Sequence, residues 1–414
     1  MRRHVRVILA PPQCTFHHAA TPTFRDFFRR AGRGPGPGGW PASAQTLPDA
    51  AVASAADNPG EFQVAPFNAP VLPPFKTFEN GLSFSGHWDS EIITPLAGGL
   101  RRGSAADSLL QLGGEFDTAK AGLWSGGLFE FSVMGLRSTG NLPAQTGAVQ
   151  TTSNDWAGNF LRLYQFTYRQ DVGKAFVRAG IMDVNYYFAS VGLASQLQNA
   201  SFGPVPTLTA NADIATFPTP GVGAMAGADL GHGYAVQAGV WQANPPRFSG
   251  IWRSGALALL ELARRSGALA DGQAQDVVKL GVWHLRQNNP QLGPSTGGTY
   301  AIGEHRWDLR SGPRLGVFVQ LAASNGVVNP VPYYLGAGLR VERPFASRPD
   351  DNFSLGLARA NLATQPHPET VVELNYAYKA ASGVYIQPDL QRLWHPGGSN
   401  PPATVLGVRL HLEF

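Results

Sequence analysis

The last eleven residues, Thr404–Phe414, read TVLGVRLHLEF and alternate between two kinds of side chain. Positions 406, 408, 410 and 412 carry leucine or valine, whereas positions 409, 411 and 413 carry arginine, histidine and glutamate. Successive side chains of a β-strand point to opposite faces, so the segment is a strand with one apolar face. A tilted strand of about ten residues spans a bilayer if its barrel closes, although strands of water-soluble proteins also alternate. We therefore expect the even-numbered residues to face lipid and Arg409 to face a water-filled lumen.

The composition favours a sheet protein with many turns. Of the 414 residues, 43% are hydrophobic and only 14% are charged, and the chain contains 49 glycines and 33 prolines. No run of about 18 apolar residues occurs, which argues against helical membrane spans. A helical bundle does not have this glycine and proline content.

The formal net charge of +4 comes from the N-terminal segment. Residues 1–44 contain seven arginines and one aspartate, which leaves 25 basic and 27 acidic residues in 45–414. The basic balance is therefore no argument for a nucleic-acid partner. The only cysteine, Cys14, lies in the same segment, so a disulfide scaffold and a cysteine-based metal site are excluded from the remainder. We expect no metal and no cofactor.

Three regions are predicted along the chain. Residues 1–44 are interpreted as a defective or misassigned signal-peptide region, because Ala42-Ser43-Ala44 before Gln45 is typical of a cleavage site but no apolar core precedes it. A disordered N-terminus is the alternative. Residues 45–74, rich in proline and alanine, are predicted to form a periplasmic lead-in or a plug. Residues 75–414 are predicted to form an outer-membrane β-barrel.

Alternating segments separated by glycine, proline, asparagine or aspartate recur throughout 75–414. Spans of about ten residues would allow roughly 16 strands. We therefore predict an all-β fold, a transmembrane antiparallel β-barrel of about 16 strands. A soluble β-sandwich or a propeller would alternate too, but no repeat of propeller length occurs. The segment Gly255–Arg265 fits a helix by composition, and we interpret it as a strand from its context, with Leu257, Leu259 and Glu261 on one face.

The longest segment without alternation is 185–222, which is rich in proline and asparagine. A loop of this length in a compact protein is usually functional. We expect it to fold inward and narrow the pore.

Ionic and amide side chains on the polar faces of these strands are the chemistry that the sequence offers. The predicted substrate-binding residues are Glu130, Arg162, Arg178, Glu261, Arg340, Glu373, Gln387, Asp389 and Arg409. Arginine donors mixed with carboxylate and amide acceptors can exchange hydrogen bonds with the hydroxyl groups of a sugar. Trp241, Trp283 and Trp394 could stack on apolar sugar faces. For each ionic residue the simpler alternative is that it hydrates a nonspecific pore.

No hydrolase, zinc or phosphate-binding motif is present in the sequence, so no catalytic residue is predicted and the protein is not expected to be an enzyme. The histidines outside the N-terminal region are isolated and are interpreted as solvated or lumenal side chains.

The C-terminal part of the chain resembles the carbohydrate-selective porins of the OprB type. The resemblance rests on Glu373 and Tyr376, on Gln387–Gln391, on the turn Pro396–Gly398, and on Gly407, Arg409 and Phe414. Weaker similarity extends over 338–356 and 162–202. It implies a 16-stranded barrel in the outer membrane of a Gram-negative bacterium that passes monosaccharides such as glucose by facilitated diffusion. The final Phe414 is similar to the signal that the barrel-assembly machinery recognises.

We accordingly expect small carbohydrates in the lumen, with outer-membrane lipid and lipopolysaccharide around the barrel. Two other functions stay open at this point. One is a general or anion-preferring porin, and the less favoured one is an outer-membrane enzyme.

Overall fold

The computed structural model describes residues 76–245, 251–269, 271–310 and 312–414. The interpretations of residues 1–44 and 45–74 therefore lie outside the described residues. The strands within these ranges, numbered in chain order, are β1 Lys76–Thr77, β2 Leu82–Gly98, β3 Ala105–Asp117, β4 Gly127–Thr139, β5 Phe160–Val172, β6 Ala175–Met182, β7 Gly221–Gly231, β8 Tyr234–Gln242, β9 Gly255–Ser266, β10 Asp276–Gln287, β11 Thr296–Asp308, β12 Arg314–Ser324, β13 Tyr333–Glu342, β14 Asn352–Asn361, β15 Glu369–Ala381, β16 Val384–Trp394 and β17 Ala403–Glu413.

From β2 onward each strand pairs antiparallel with the next strand in the chain, and β17 pairs with β2 to close the sheet. The closed wall thus has 16 strands, and the short strand β1 adds to β2. Closure leaves no unpaired edge in the wall, which removes the exposed backbone polar groups of an open sheet. The predicted barrel of about 16 strands is confirmed, and so is the strand interpretation of Gly255–Arg265.

The two faces of the wall follow the sequence alternation. On β10 the side chains of Val278, Leu280 and Val282 point outward and are 48%, 54% and 48% exposed. The intervening Lys279 points inward and is only 1% exposed. On β17 the same division places Leu406 and Val408 outside, as predicted, and turns Arg409 and His411 inward, where both side chains are buried.

The two ends of the barrel differ in the length of their connections. At one end, named here the turn end, strands join through connections of two to nine residues, and the shortest are two-residue hairpins. Between β7 and β8 these residues are His232 and Gly233, both with positive φ (54° and 80°), which matches the right-handed twist of the flanking strands. At the other end, named the loop end, the segments 140–159 and 183–220 connect neighbouring strands.

Within the residues that the structure describes, helical structure is confined to short turns. Helix α1 spans Leu142–Thr146 and α2 spans Pro206–Thr209, and the 3₁₀ turns of the same ranges span Val184–Tyr186, Ala200–Phe202, Pro290–Leu292 and Pro396–Gly398. None of the helices in the described ranges has the length and apolar character needed to cross a membrane.

Candidate functional site

Residues 183–220, here called the inward loop, connect β6 to β7 and turn into the barrel. Asp183 fixes the base of this loop, because its carboxylate accepts backbone N–H bonds from Asn185 (2.7 Å) and Phe217 (3.1 Å). Phe188 and Phe202 within the loop are almost fully buried. The predicted inward-folding segment, 185–222, is confirmed with its boundaries shifted by two residues.

The inward loop packs against an apolar part of the wall. The ring of Phe188 meets that of Trp241 edge-on at a centroid distance of 5.6 Å. Leu257 and Leu259 on β9 are also buried and point inward. This part of the wall is apolar on both faces, because the loop shields its inner face from water.

The three tryptophans proposed to stack on sugars do not line an open lumen. Trp241 and Trp283 are 0% and 3% exposed, and Trp283 packs on the backbone of Gly298. Trp394 points out of the barrel, on the face that also carries Leu390. The stacking prediction is therefore wrong for Trp394 because its strand register places it outside. Burial prevents Trp241 and Trp283 from meeting a solute.

Carboxylates on the wall hold the backbone of the inward loop. Glu261 on β9 accepts the N–H of Ala189 (3.1 Å) and the hydroxyl of Tyr300 (2.8 Å). Glu304 on β11 accepts the N–H of Gly192 (3.2 Å) and that of Leu193 (2.9 Å). Hydrogen bonds to a charged group contribute about 1.5–3 kcal/mol each, so a pair of them is a strong attachment.

The same arrangement recurs farther along the loop. Glu373 on β15 accepts the N–H of Asn199 (2.9 Å) and also that of Gln198. Lys279 on β10 holds the loop as a donor, whereas the carboxylates hold it as acceptors. Its ammonium group donates a hydrogen bond to the Ser190 carbonyl (2.9 Å). The inward loop is thus attached to β9, β10, β11 and β15 by ionic groups that point into the barrel.

A second loop, residues 140–159, is held in the same way by residues of β15 and β17. Glu369 accepts backbone N–H bonds from Val149 (2.9 Å) and Gln150 (2.6 Å). Arg409 donates to Asn154 Oδ1 (2.8 Å) and lies 3.0 Å from Asp155. Arg409 is therefore inward-facing, as predicted, but it is 1% exposed and engaged with protein groups.

Glu130, Arg178 and Arg162 lie on one section of the wall. Arg178 forms an ion pair with Glu130 on the lumenal face and donates to Thr167 Oγ1 (3.1 Å). Arg162 instead reaches the inward loop, where it donates to the Pro218 carbonyl (2.7 Å) and to Thr219 Oγ1 (2.8 Å). These three residues support the wall and the base of the inward loop.

The remaining predicted residues are Asp389, Gln387 and Arg340. The first two contact residues of the wall and the inward loop, and Arg340 lies at the edge of that loop. Asp389 accepts from Gln391 Nε2 (2.8 Å), and the Gln387 backbone carbonyl accepts from Gln198 Nε2 (3.4 Å). Arg340 donates to Ser195 Oγ of the loop at 3.5 Å and lies 3.8 Å from Glu342. The side chains of Arg340 and Glu342 keep 21% and 22% exposure, so they are accessible beside the loop. The role of all nine residues in sugar binding stays a prediction.

Charge on the lumenal side is locally balanced. Of the four predicted arginines, three lie beside a carboxylate: Arg178, Arg340 and Arg409. Arg306, not among the predicted residues, pairs with Glu304 at 2.9 Å. Paired charges of this kind do not produce a strong field of one sign, which is what a channel for anions would need.

Four ionic residues that attach the loops were not among the residues predicted from the sequence: Glu91, Lys279, Glu304 and Glu369. Glu91 and Lys279 stand on polar faces of alternating segments, so a stricter use of the alternation could have included them. Their partners lie on loops distant in sequence, and strand periodicity carries no information about those. No group of acidic, histidine or cysteine side chains suited to a metal ion occurs in the described part of the chain.

Comparison with known proteins gives a consistent result. The model of the carbohydrate-selective porin family, OprB, matches residues 101–304 and 283–414. The high-pH structure of Pseudomonas putida OprB is similar, with a TM-score of 0.73 and 18% identity over 81% of this chain and 94% of that one. Its low-pH structure gives a TM-score of 0.55 at 18% identity, over 81% and 93% of the two chains. Salmonella typhi OmpF in complex with daunomycin shares the fold at 9% identity and a TM-score of 0.56, over 82% and 99%. No curated protein sequence matches significantly.

Proposed function

Because the chain belongs to the OprB family of carbohydrate-selective porins and is a sugar channel of the outer membrane, we propose that it passes small neutral sugars, glucose among them. Transport is by facilitated diffusion into the periplasm of a Gram-negative bacterium. No covalent step and no energy coupling is part of the proposal.

The inward loop supports the proposal because it crosses the lumen. It contacts β9, β11 and β15 through the carboxylates described above, and on the other side Tyr186 and Tyr187 reach Gln111 (3.3 Å) and Gln165 (2.6 Å). A solute must therefore pass beside this loop. Its ionic attachments fix the width of the passage, because moving the loop would leave buried charges without partners.

The pairing of lumenal arginines with carboxylates is the observation that carries the choice of a neutral sugar. Arg340 and Glu342 together offer donors and acceptors at the accessible edge of the loop. Sugar hydroxyls both donate and accept, so such a pair can replace the water that a sugar loses on entry. An unpaired arginine would favour an anion instead.

Planar-bilayer recording tests this proposal. Glucose or maltose should block the ionic current in a concentration-dependent way, and the reversal potential in a salt gradient should stay near zero. The proposal fails if these sugars leave the conductance unchanged while anions or amino acids block it. A strongly anion-selective reversal potential would favour the general or anion-preferring porin.

Two further proposals concern biogenesis. Phe414 would present the terminal strand to the barrel-assembly machinery, and residues 1–44 would be removed before Gln45. N-terminal sequencing of the membrane-extracted protein checks the second, since any other start contradicts cleavage at that position.

A further inference from the structure

The outward surface of β14–β17 grades from cationic to apolar, starting at the loop end. The strand register places Arg359 opposite Thr370, and Thr370 opposite Trp394, in the outermost row. One row nearer the middle of the wall, Arg392 lies opposite Thr404. The next row consists of four half-exposed leucines side by side, Leu355, Leu374, Leu390 and Leu406.

Arg359 and Arg392 are two strands and one row apart. Strands lie about 4.8 Å apart and two residues span about 7 Å, so their Cα atoms are separated by about 12 Å. Arg359 is exposed, while Arg392 is half-buried and donates to Thr404 Oγ1 at 2.7 Å. The Arg392 guanidinium also lies 5.8 Å from the ring of Trp394. Two guanidinium groups thus stand over an apolar surface with a hydroxyl and an indole between them.

Neither arginine contacts a carboxylate of the residues that the structure describes. At the turn end of the same strands the cations are paired: Arg348 lies 2.9 Å from Asp351, and Lys379 lies 3.3 Å from Asp350. The difference between the two ends points to an anion from outside the chain as the partner of the cations at the loop end. If these arginines served only to place a charged group at the membrane surface, the cations at both ends would be expected to lack carboxylate partners.

We propose that Arg359 and Arg392, with Thr370, Thr404 and Trp394, form a binding site for the bisphosphorylated disaccharide headgroup of lipid A. This inference rests on the proposed function, because outer-membrane barrels carry their longer loops on the cell surface, where that glycolipid is the outer-leaflet lipid. Each guanidinium fork donates hydrogen bonds to the oxygens of one phosphate. The row of leucines lies below, where the acyl chains pack.

The separation of the two arginines selects against ordinary phospholipids. A phospholipid has one phosphate and can engage one guanidinium group, whereas a disaccharide with a phosphate at each end can engage both. Free phosphate lacks the acyl chains that contact Leu374 and Leu390. The site therefore distinguishes its ligand by the number of phosphates and by the attached hydrocarbon.

Native mass spectrometry of the full folded chain in detergent tests the site. The probes are bisphosphoryl lipid A, lipid A without phosphates, phosphatidylglycerol and inorganic phosphate. Bisphosphoryl lipid A should bind about tenfold or more tightly than the dephosphorylated form, which loses the charge-assisted bonds to both phosphates, and than phosphatidylglycerol, which can form them to one phosphate only. Excess inorganic phosphate should not displace it.

The double variant Arg359→Gln and Arg392→Gln should lose about tenfold in affinity for bisphosphoryl lipid A, because both forks are removed. Arg264→Gln is the matched control, since Arg264 is also exposed on the outward face but lies at the turn end near Asp276. The control should change the affinity by less than about twofold, as an arginine already beside a carboxylate contributes little to phosphate binding.

Three results would overturn the site: equal binding of phosphatidylglycerol, displacement by inorganic phosphate, or unchanged affinity of the double variant. Heat-modifiable migration on gels establishes that each variant is folded before binding is measured. Sugar block of the current, recorded on the same preparations, separates this inference from the channel proposal. Absent sugar block with intact phosphate-dependent binding refutes only the sugar function, and the reverse result refutes only the lipid site.

Discussion

Arg409 and Glu91 face each other across the strand pair that closes the barrel, with Arg409 Nη2 2.7 Å and Nε 3.0 Å from Glu91 Oε2. Both side chains are about 1% exposed. The guanidinium also contacts Asn154 and Asp155 of the second loop. One arginine therefore joins the first and last long strands of the wall and attaches a loop to both.

Replacing Arg409 by alanine should destabilise the folded barrel by about 3–5 kcal/mol, because Glu91 is left buried without its cation. Urea titration followed by heat-modifiable gel migration measures the loss. Sugar block should also weaken, since the second loop loses its attachment. Arg286→Ala, which removes an exposed outward-facing arginine of β10, is the control and should leave stability unchanged. Equal stability of both variants would show that the ion pair contributes nothing.

The backbone of Phe414 exchanges two hydrogen bonds with Gly86, at 2.6 Å and 3.0 Å, beside the closing strand pair. Deletion of Phe414 should reduce the yield of folded barrel in the membrane fraction. Gly86→Ala should have a similar effect, because its Cβ would lie 2.8 Å from the Phe414 ring and 2.8 Å from Leu112. Phe414→Tyr keeps the backbone bonds and the ring and should assemble normally. Normal yield after deletion would exclude a role in assembly.

Glu373→Gln should loosen the inward loop, because the amide replaces a charged acceptor of two backbone N–H groups with a neutral one. A hydrogen bond to a charged acceptor contributes about 1.5–3 kcal/mol, and the variant should lose about that much of the free energy that attaches the loop to the wall. We expect a larger and noisier single-channel conductance and weaker block by glucose. Glu115→Gln is the control, because Glu115 is exposed on the lumenal face near the turn end of β3. The attachment role is refuted if both variants conduct alike.

The connection between β13 and β14 contains a buried carboxylate that should make stability depend on pH. Burial raises the pKa of Asp351, but bonds from Arg348 (2.9 Å), the Tyr376 hydroxyl (2.7 Å) and the Lys379 N–H (3.0 Å) outweigh it and lower the pKa overall. A lowered folded-state pKa stabilises the barrel above the unfolded value of about 3.9, and this contribution disappears as pH falls through the folded-state pKa.

Asp351→Asn should therefore destabilise the barrel at pH 7 and have a smaller effect at about pH 3, because the contribution of the carboxylate declines once the pH is below the unfolded-state pKa of about 3.9. Urea titrations at the two pH values measure the difference. Asp350→Asn changes the adjacent residue, which pairs with Lys379 at 3.3 Å and is largely exposed, and should have little effect at either pH. An equal loss at both pH values would contradict the assignment.

The strand faces could be predicted because they depend on a local periodicity. Val278 and Lys279 are neighbours in sequence, and the extended backbone alone sends one outward and the other inward. The nine proposed binding residues were selected by that rule. On the described strands their side chains point inward. Their partners could not be predicted, because Glu261 meets Ala189 and Glu373 meets Asn199 only after the inward loop has folded.

The sequence by itself determined that the chain is a sheet whose strands each carry one apolar face, since an alternation of period two is a property of each strand separately. Only the tertiary structure decided which polar side chains remain accessible to a solute. Arg409 and Arg340 occupy equivalent inward positions, yet Arg409 is buried between Glu91 and Asp155 whereas Arg340 stays partly exposed beside Ser195. The physical reason is that a loop distant in sequence covers one of them and leaves the other in contact with water.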